Sequence, residues 1–397
     1  MKILVLNCGS SSIKYKLYNM DNGCVMASGG LEKVGQEDSF LKYTTKNGEA
    51  KRLETPILSH DKGVELVFRI LTDPQDGALK SLHELGAVGH RIVHGGTFTE
   101  SELLTPEVLE KWKTYSDLAP LHNPAHLKGI EAVSKQLPTL PQVGVFDTAF
   151  HQTMPDHAYM YALPYELYEK YGVRRYGFHG TSHRFVTQRV GEFLNVDVTT
   201  QRIITCHIGN GASVAAIDHG KCVDTSMGLT PLEGLIMGTR SGDIDPYAIL
   251  FLMDKMGLST AEASNLLNKE SGMKGISGIG SDMREIEQAM IAGNQRAILA
   301  TKMYVYRIKK YIGAYAAAMG GVDIIVFTAG VGEHQYDVRS GALDGLDFLG
   351  VTLDKEVNQR NHGAEEVLST PNSRVTVAVI PTDEEKLVAQ DTLKLVK

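Results

Sequence analysis

The chain is short of the residues that mark secreted, metal-clustered or membrane-bound proteins. It holds 4 cysteines and 1 tryptophan in 397 residues. Cys8, Cys24, Cys206 and Cys222 show no metal-type pairing and no disulfide framework, which fits a reducing compartment. No apolar run approaches the ~20 residues of a membrane span. The apolar run near the start, Ile3 to Leu6, is followed by no cleavage-site pattern, so the expected location is the cytoplasm. Basic blocks are also missing: 40 Lys and Arg stand against 47 Asp and Glu, a net charge of −7. This balance argues against nucleic acid or an anionic membrane as partner, and any cation that matters must act locally.

With 43% hydrophobic and 22% charged residues, the composition is that of a soluble globular protein. Its length exceeds what a single core usually serves, so two domains are expected. The opening is the most informative segment. In Lys2-Ile-Leu-Val-Leu-Asn7-Cys-Gly-Ser10-Ser-Ser12-Ile-Lys14-Tyr-Lys-Leu-Tyr18, an apolar run meets Asn, Gly and three Ser, then polarity alternates. That pattern predicts strand, tight turn, strand. Small residues let backbone N–H groups and hydroxyls converge on anionic oxygens, and Lys14 adds a point charge. A Walker-type loop would place its lysine at the start of a helix, whereas Lys14 lies in a strand pattern. An ordinary Ser/Gly turn with a solvated lysine accounts for this segment equally well.

Further strands are expected over 24–28, 41–45, 86–96 and 143–147, and a helix with one apolar face over 61–71. A domain crossing is placed near the Pro155, Pro164 and tyrosine-rich region. Residues 203–217, Ile-Ile-Thr-Cys-His207-Ile-Gly-Asn-Gly211-Ala-Ser-Val-Ala-Ala-Ile217, repeat the scheme of the first hairpin and suggest a duplicated fold. Downstream, Ser281 is expected to cap a helix, and 294–319 to form a long helix, apolar on most sides and stopped by Gly320-Gly321. Residues 323–334 read as a buried strand opening into a glycine loop suited to ribose, adenine or phosphate. The last helix is expected from Thr382-Asp-Glu-Glu385, with Thr382 and Glu385 as a capping box.

Arg91 and Arg240 sit beside glycines, which suits bidentate binding of carboxylate or phosphate, although for either residue taken singly a surface arginine on a turn is the favoured reading. His179 and His183 share one Gly/Ser motif. Asp147 ends a strand, where it could hold an arginine, hold a metal-bound water or cap the next turn. Glu384 and Glu385 favour the dipole of a first helical turn.

Taken together, Asn7-Cys-Gly-Ser-Ser-Ser-Ile-Lys14, Gly89-His-Arg-Ile-Val-His-Gly-Gly96, Gly177-Phe-His-Gly-Thr-Ser-His183, His207-Ile-Gly-Asn-Gly211 and Pro381-Thr-Asp-Glu-Glu385 resemble the acetate kinases. The resemblance implies two duplicated actin-like (ribonuclease H-like) α/β ATPase domains flanking a nucleotide cleft. It divides the chain into 1–151 plus 385–397, and 152–384, the second binding nucleotide and making the homodimer contacts. It implies transfer of a phosphoryl group from ATP to acetate, giving ADP and acetyl phosphate, with Mg²⁺ or, as an alternative ion, Mn²⁺. Asn7 and Glu384 are then expected at the metal, with Ser10, Ser12 and Lys14 at the nucleotide phosphates. Arg91 binds the acyl substrate, His179 and Arg240 stabilise the transferring group, and Asp147 is the catalytic carboxylate. His207, Ile208, Gly209, Asn210 and Gly211 match nucleotide-contacting segments, as do Asp282, Met283 and Arg284, and Gly330, Val331, Gly332, Glu333 and His334. Val93, Leu121, Phe178 and Pro231 match the pocket around the acetate methyl. A propionate or butyrate kinase of the same fold is the nearest rival, and a non-catalytic actin-like nucleotide-binding module a more distant one. A nicotinamide dehydrogenase is disfavoured, because no Gly-x-Gly-x-x-Gly opens an early helix.

Overall fold

The computed structural model describes residues 1–120 and 122–397, and its backbone contacts group into two units, 1–149 with 383–397 and 150–382. Both crossings fall two residues before the expected ones, so Asp383 and Glu384 go with the first unit.

The first unit is built on an eight-stranded sheet. Its strands are β1 (Lys2–Cys8), β2 (Ser12–Asn19), β3 (Cys24–Glu32), β4 (Phe40–Thr44), β5 (Ala50–Glu54), β6 (Leu85–Ile92), β7 (Glu102–Leu103) and β8 (Gln142–Phe146), in the order β5-β4-β3-β2-β1-β6-β8-β7. Strands β1 to β5 form an antiparallel meander, while β6 lies parallel to both β1 and β8. The apolar run of β1 is buried on both faces, as a strand covered by helices on two sides must be. Leu4 and Leu6 point with Ile13 and Leu17 toward Val64, Val67 and Phe68 of the helix His60–Leu71. Ile3 and Val5 point the other way, with Val143 and Val145, toward Val388 and Ala389 of the C-terminal helix Glu384–Val396. That helix can lie on β6 because position 89 is glycine: a Cβ there would collide with Thr392 and Val388.

The second unit carries β9 (Arg202–Ile208), β10 (Ala212–Asp218), β11 (Lys221–Thr225), β12 (Ile324–Thr328), β13 (Glu366–Val367) and β14 (Thr376–Val379), in the order β11-β10-β9-β12-β14-β13. Again a meander, β9 to β11, is followed on the other side of its first strand by parallel partners, β12 and β14. The order β3-β2-β1-β6-β8 is thus repeated as β11-β10-β9-β12-β14, the duplication that the hairpin echo pointed to, in the two-domain α/β form that the family resemblance implies. Both hairpin turns close on a glycine amide: Gly9 donates to the Ser12 carbonyl at 2.8 Å, and Gly209 to the Gly211 carbonyl at 3.1 Å.

Four local expectations are corrected. Asp282, not Ser281, caps the helix Met283–Ile291, its carboxylate accepting from the Arg284 amide. Residues after β12 form a short helix, Ala329–His334, rather than an open loop. The last helix is capped by Asp383, which accepts from the Lys386 amide, and the Thr382 hydroxyl bonds instead to Ser182. The helix Gln295–Ala318 is not apolar all round in its packing: Tyr304, Ile308, Ile312 and Tyr315 are buried, while Leu299, Met303 and Tyr306 are exposed.

Buried histidines give the first unit a pH dependence. His90, bonded to the Gln142 amide oxygen at 2.8 Å, is lowered to about 4 by burial. His126 is lowered to about 3 by burial and by the positive Arg91. Both are neutral in the folded protein, whereas an unfolded histidine takes up a proton below ~6.5. Their contribution is therefore full above pH ~6.5 and lost as the pH falls toward 4. The urea midpoint is expected to fall between pH 7 and pH 5, each site withdrawing about 1–2 kcal/mol by the lower pH. A midpoint that does not move over this range contradicts the assignment.

Candidate active site

In the first unit the site is built where parallel strands end. Arg91 lies near the end of β6, and its register partner on β8 is Val145, so the next residues place Asp147 just beyond Ile92. The Asp147 amide continues the ladder by donating to the Ile92 carbonyl at 2.8 Å. Arg91 then grips the buried Asp147 carboxylate with two donors, Nη2 to Oδ2 at 2.6 Å and Nε to Oδ1 at 3.3 Å. Glu384, at the start of the C-terminal helix, approaches Arg91 Nε to 3.1 Å. Burial works against the charge of Arg91, but Asp147 and Glu384 outweigh it and hold the guanidinium above its ordinary value. Glu384 is raised in turn, chiefly by burial, with Arg91 opposing and the Asp147 and Glu385 carboxylates adding to the rise.

Neighbouring groups are fixed around this set. The Val93 amide donates to His126 Nε2 at 3.3 Å, which requires a neutral ring with its proton on Nδ1. Lys14 stands opposite Asn7 in the β1–β2 register, and it also borders a groove of about 570 Å³ over β2 to β5. Ser10 is exposed in the turn and Ser12 partly buried. Among the described residues no three His, Cys, Asp or Glu side chains gather into a closed metal cage. Magnesium does not need one, since it keeps water and phosphate oxygens and takes one or two protein ligands. Glu384 suits that use: it is a partly buried oxygen donor whose charge is disfavoured by its carboxylate neighbours.

In the second unit four histidines meet at the mouth of the β9–β10 hairpin and the start of the helix Gly180–Leu194. His179 caps that helix in a left-handed conformation, φ 55°. Its Nδ1 shares a hydrogen bond with Ser213 Oγ at 2.9 Å, and the same hydroxyl meets His183 Nε2 at 2.7 Å. The Ser213 hydroxyl has one proton and can donate to only one of the two rings, so at least one of these imidazole nitrogens donates to it. His183 is held well below its ordinary value by burial and by neighbouring His151 and His207, and so is neutral. His207 stacks on His179 with ring centres 4.1 Å apart and bonds Ser182 Oγ at 2.8 Å. His151 braces the Phe178 carbonyl at 2.9 Å.

Gly211 brings Arg240 and His179 to one place. A Cβ on it would lie 3.4 Å from Arg240 Nη1 and 3.5 Å from His179 Nε2, so both side chains reach over the same bare backbone. Arg240 donates to the Pro231 carbonyl at 3.2 Å, and among the described residues no carboxylate pairs with it. Burial accordingly lowers it from its ordinary value.

Beside this cluster a cavity of about 700 Å³ is lined by Gly209, Asn210, Gly238, Ser281, Asp282, Met283, Arg284, Tyr304, Gly330, Val331, His334 and Gln335. Three separate motifs of the sequence thus share one wall-and-floor. Glycine at 238 admits the Asn210 side chain, which a Cβ would displace. Glu333 does not line the cavity: its carboxylate accepts from the Ala329 amide at 2.8 Å and the Thr382 amide at 3.2 Å. Leu121 lies outside the described residues. Sequence reasoning missed Ser213, Gly238, Tyr304, Gln335 and His126. Ser213 and Gly238 sit in or next to glycine-rich strings that were read, whereas Tyr304 is one aromatic among many in a helix and carries no separate signal.

The sequence pattern of the Acetokinase family matches residues 2–390. An acetate kinase of Phocaeicola vulgatus is 65% identical over 396 residues, covering 100% of this chain and 99% of that protein. The crystal structure of the Porphyromonas gingivalis acetate kinase superposes with a TM-score of 0.96 at 57% identity, with 100% of both chains covered. A propionate kinase from Francisella tularensis subsp. tularensis follows with a TM-score of 0.92 at 41% identity, with 99% of each chain covered. Whole-length matches of this kind, together with the Arg91–Asp147–Glu384 set and the glycine-lined cavity, make the chain a member of the acetokinase family.

Proposed function

We propose that this protein transfers the γ-phosphoryl group of ATP to the carboxylate of acetate, reversibly, giving acetyl phosphate and ADP. The observation that carries the reading is Arg240: a largely buried guanidinium with neutral acceptors, reaching over Gly211 beside His179. A buried cation without a counter-charge is costly unless an anion arrives to meet it. Phosphoryl transfer supplies such an anion, since charge spreads over the equatorial oxygens in the transition state and fixed donors stabilise it. His179 and Arg240 take that role, and Lys14, Ser10 and Ser12 take the nucleotide phosphates. Asn7 and Glu384 would hold magnesium, which supplies charge neutralisation at the phosphate oxygens. The 700 Å³ cavity takes the nucleoside.

The family resemblance assigns Arg91 to the carboxylate of the acyl substrate and Val93, Phe178 and Pro231 to its methyl group. Acetate, with a pKa of roughly 4 to 5, is already ionised at pH 7 and needs no base. Asp147 therefore orients Arg91, as its two-point grip supports. Identity to acetate kinases of 55% and above favours acetate over propionate as the preferred acid. One methylene in an apolar pocket is worth only about 1–3 kcal/mol, so propionate is expected to react more slowly rather than not at all.

The assembly is a homodimer through the second unit. Leu299, Met303 and Tyr306 form an exposed apolar stripe at helical spacing on Gln295–Ala318. Tyr247, Leu250 and Phe251 of the helix Pro246–Met256 add to the exposed apolar surface of that unit. No helix among the described residues is long and apolar enough to cross a membrane. The cytoplasm is the compartment this reading assigns.

Three measurements test the reading. Acyl phosphate formed from ATP and magnesium, trapped with hydroxylamine, is expected to appear fastest with acetate, then propionate, then butyrate. Preference for a longer acid changes the substrate, and no product from any of them removes the kinase assignment. Asp147→Asn is expected to lower kcat/KM by about 100-fold or more through misplacement of Arg91. Recovery of its rate on raising the pH, with magnesium affinity unchanged, would show a base instead. Sedimentation is expected to give a dimer for the wild type and a monomer for the double variant Met303→Glu, Tyr306→Glu; a variant that stays dimeric places the interface elsewhere.

A further inference from the structure

The wall of the cavity formed by Gly330, Val331 and His334 belongs to a helix too short to hold itself. Ala329–His334 has six residues and begins at Ala329 with φ 64°, a left-handed conformation that disfavours any residue with a Cβ. Something outside the helix must fix it. At its first residue the Glu333 carboxylate accepts from the Ala329 amide. At its far end lies Arg339, 0% exposed and far from the phosphoryl-handling groups in the sequence.

All the donor directions of Arg339 are used, and every acceptor is neutral. Nη1 donates to the carbonyls of Gly332 at 3.0 Å and Glu333 at 2.8 Å, the carbonyl end of the short helix. Nε donates to Asn358 Oδ1 at 2.7 Å, and Nη2 to the carbonyls of Asn358 at 2.8 Å and Asn361 at 3.1 Å. Asn358 is itself pinned, its amide donating to the Tyr336 carbonyl and to Ser340 Oγ. The segment that follows presses on the cavity wall from behind, because Gly363, φ 90°, leaves room for the His334 ring that a Cβ would occupy. A guanidinium is the one side chain with five donors in a planar fork, so it can tie two stretches of backbone, 332–333 and 358–361, together at once. Its charge also complements the negative end of the helix. Burial outweighs the nearby Asp337 carboxylate and lowers the guanidinium to about 10, so an apolar residue would fill the same space more cheaply. A structure that keeps the arginine here keeps it for where it puts the helix.

We propose that Arg339 is a positioning residue for the nucleotide: it sets the place of Gly330 to His334 and so the affinity for the nucleoside, without touching it. The inference rests on the reading of the 700 Å³ cavity as the nucleotide site. Lysine at 339 would keep the charge but lose the fork, and Asn358→Ala would leave Arg339 in place while removing the acceptor of its Nε.

The test is ADP binding by calorimetry on the wild type, Arg339→Lys and Asn358→Ala, with the KM for acetate and the thermal midpoint measured alongside. Both variants are expected to bind ADP more weakly, Arg339→Lys by about tenfold or more, with the acetate KM within about twofold of wild type. If Arg339→Lys does not fold, Asn358→Ala decides. A folded Asn358→Ala or Arg339→Lys variant with wild-type ADP affinity overturns the inference, as does a parallel rise in the acetate KM, which would mark a general structural role. A wild type that binds no ADP overturns the nucleotide reading itself, and the inference with it.

Discussion

Arg91 is held between two carboxylates, and the first unit is arranged so that this can happen. The guanidinium comes from β6, Asp147 from the turn after β8, and Glu384 from the start of the last helix, more than two hundred residues further along the chain. Parallel pairing of β6 and β8 puts the first two side by side. The third arrives because the sheet needs cover on its second face: Ile3, Val5, Val143 and Val145 would be left in water without Val388 and Ala389. Gly89 gives the helix its seat. The hydrophobic demand of the sheet and the electrostatic demand of the site are thus met by one helix, and removing that helix would expose the core and unpair the arginine together.

The second unit solves the opposite electrostatic problem. In the first, positive and negative groups are closely matched; in the second, no carboxylate pairs with Arg240 among the described residues, and His183 nearby is kept neutral by burial and by His151 and His207. Ser213, Ser182 and Thr382 carry the polar contacts that buried imidazoles require without adding charge. A carboxylate among them would satisfy Arg240 in advance and compete with an incoming phosphate. The hydroxyl network therefore does two things at once: it fixes the rings, and it leaves the positive charge for the ligand.

Much of this was legible in the sequence, for identifiable reasons. Hairpins written as alternation around a Gly/Ser turn came through, because period and turn chemistry are local. Arg91, His179 and Arg240 stood out beside glycines and Asp147 at a strand end, and the structure brings Arg91 to Asp147 and Arg240 to His179 over Gly211. The capping of the last helix was misread because Thr382-x-x-Glu385 fits the box pattern, yet the Thr382 hydroxyl has a stronger claim on it in Ser182, two hundred residues away. The helix Ala329–His334 was read as a loop because glycine-rich strings have low helix propensity; what makes it helical is tertiary, from Glu333 and Arg339. Tyr304 and Gln335 line the cavity, but their place depends on helix packing that no short pattern records.

Glu333 shows why a motif match is not a contact. It stands in a segment that matches nucleotide-binding residues, and a carboxylate aimed at phosphates would repel them. The structure turns it inward, onto the Ala329 and Thr382 amides and within 3.3 Å of the Thr328 hydroxyl. There its charge is of use, because an amide forced into a left-handed turn loses its regular partner and a carboxylate is the strongest acceptor available to replace it. Arg339 does the converse at the other end with carbonyls. The negative group sits at the positive end of the short helix and the positive group at its negative end, so each charge stabilises the helix it is tied to. Neither needs to face the cavity for the cavity to depend on both.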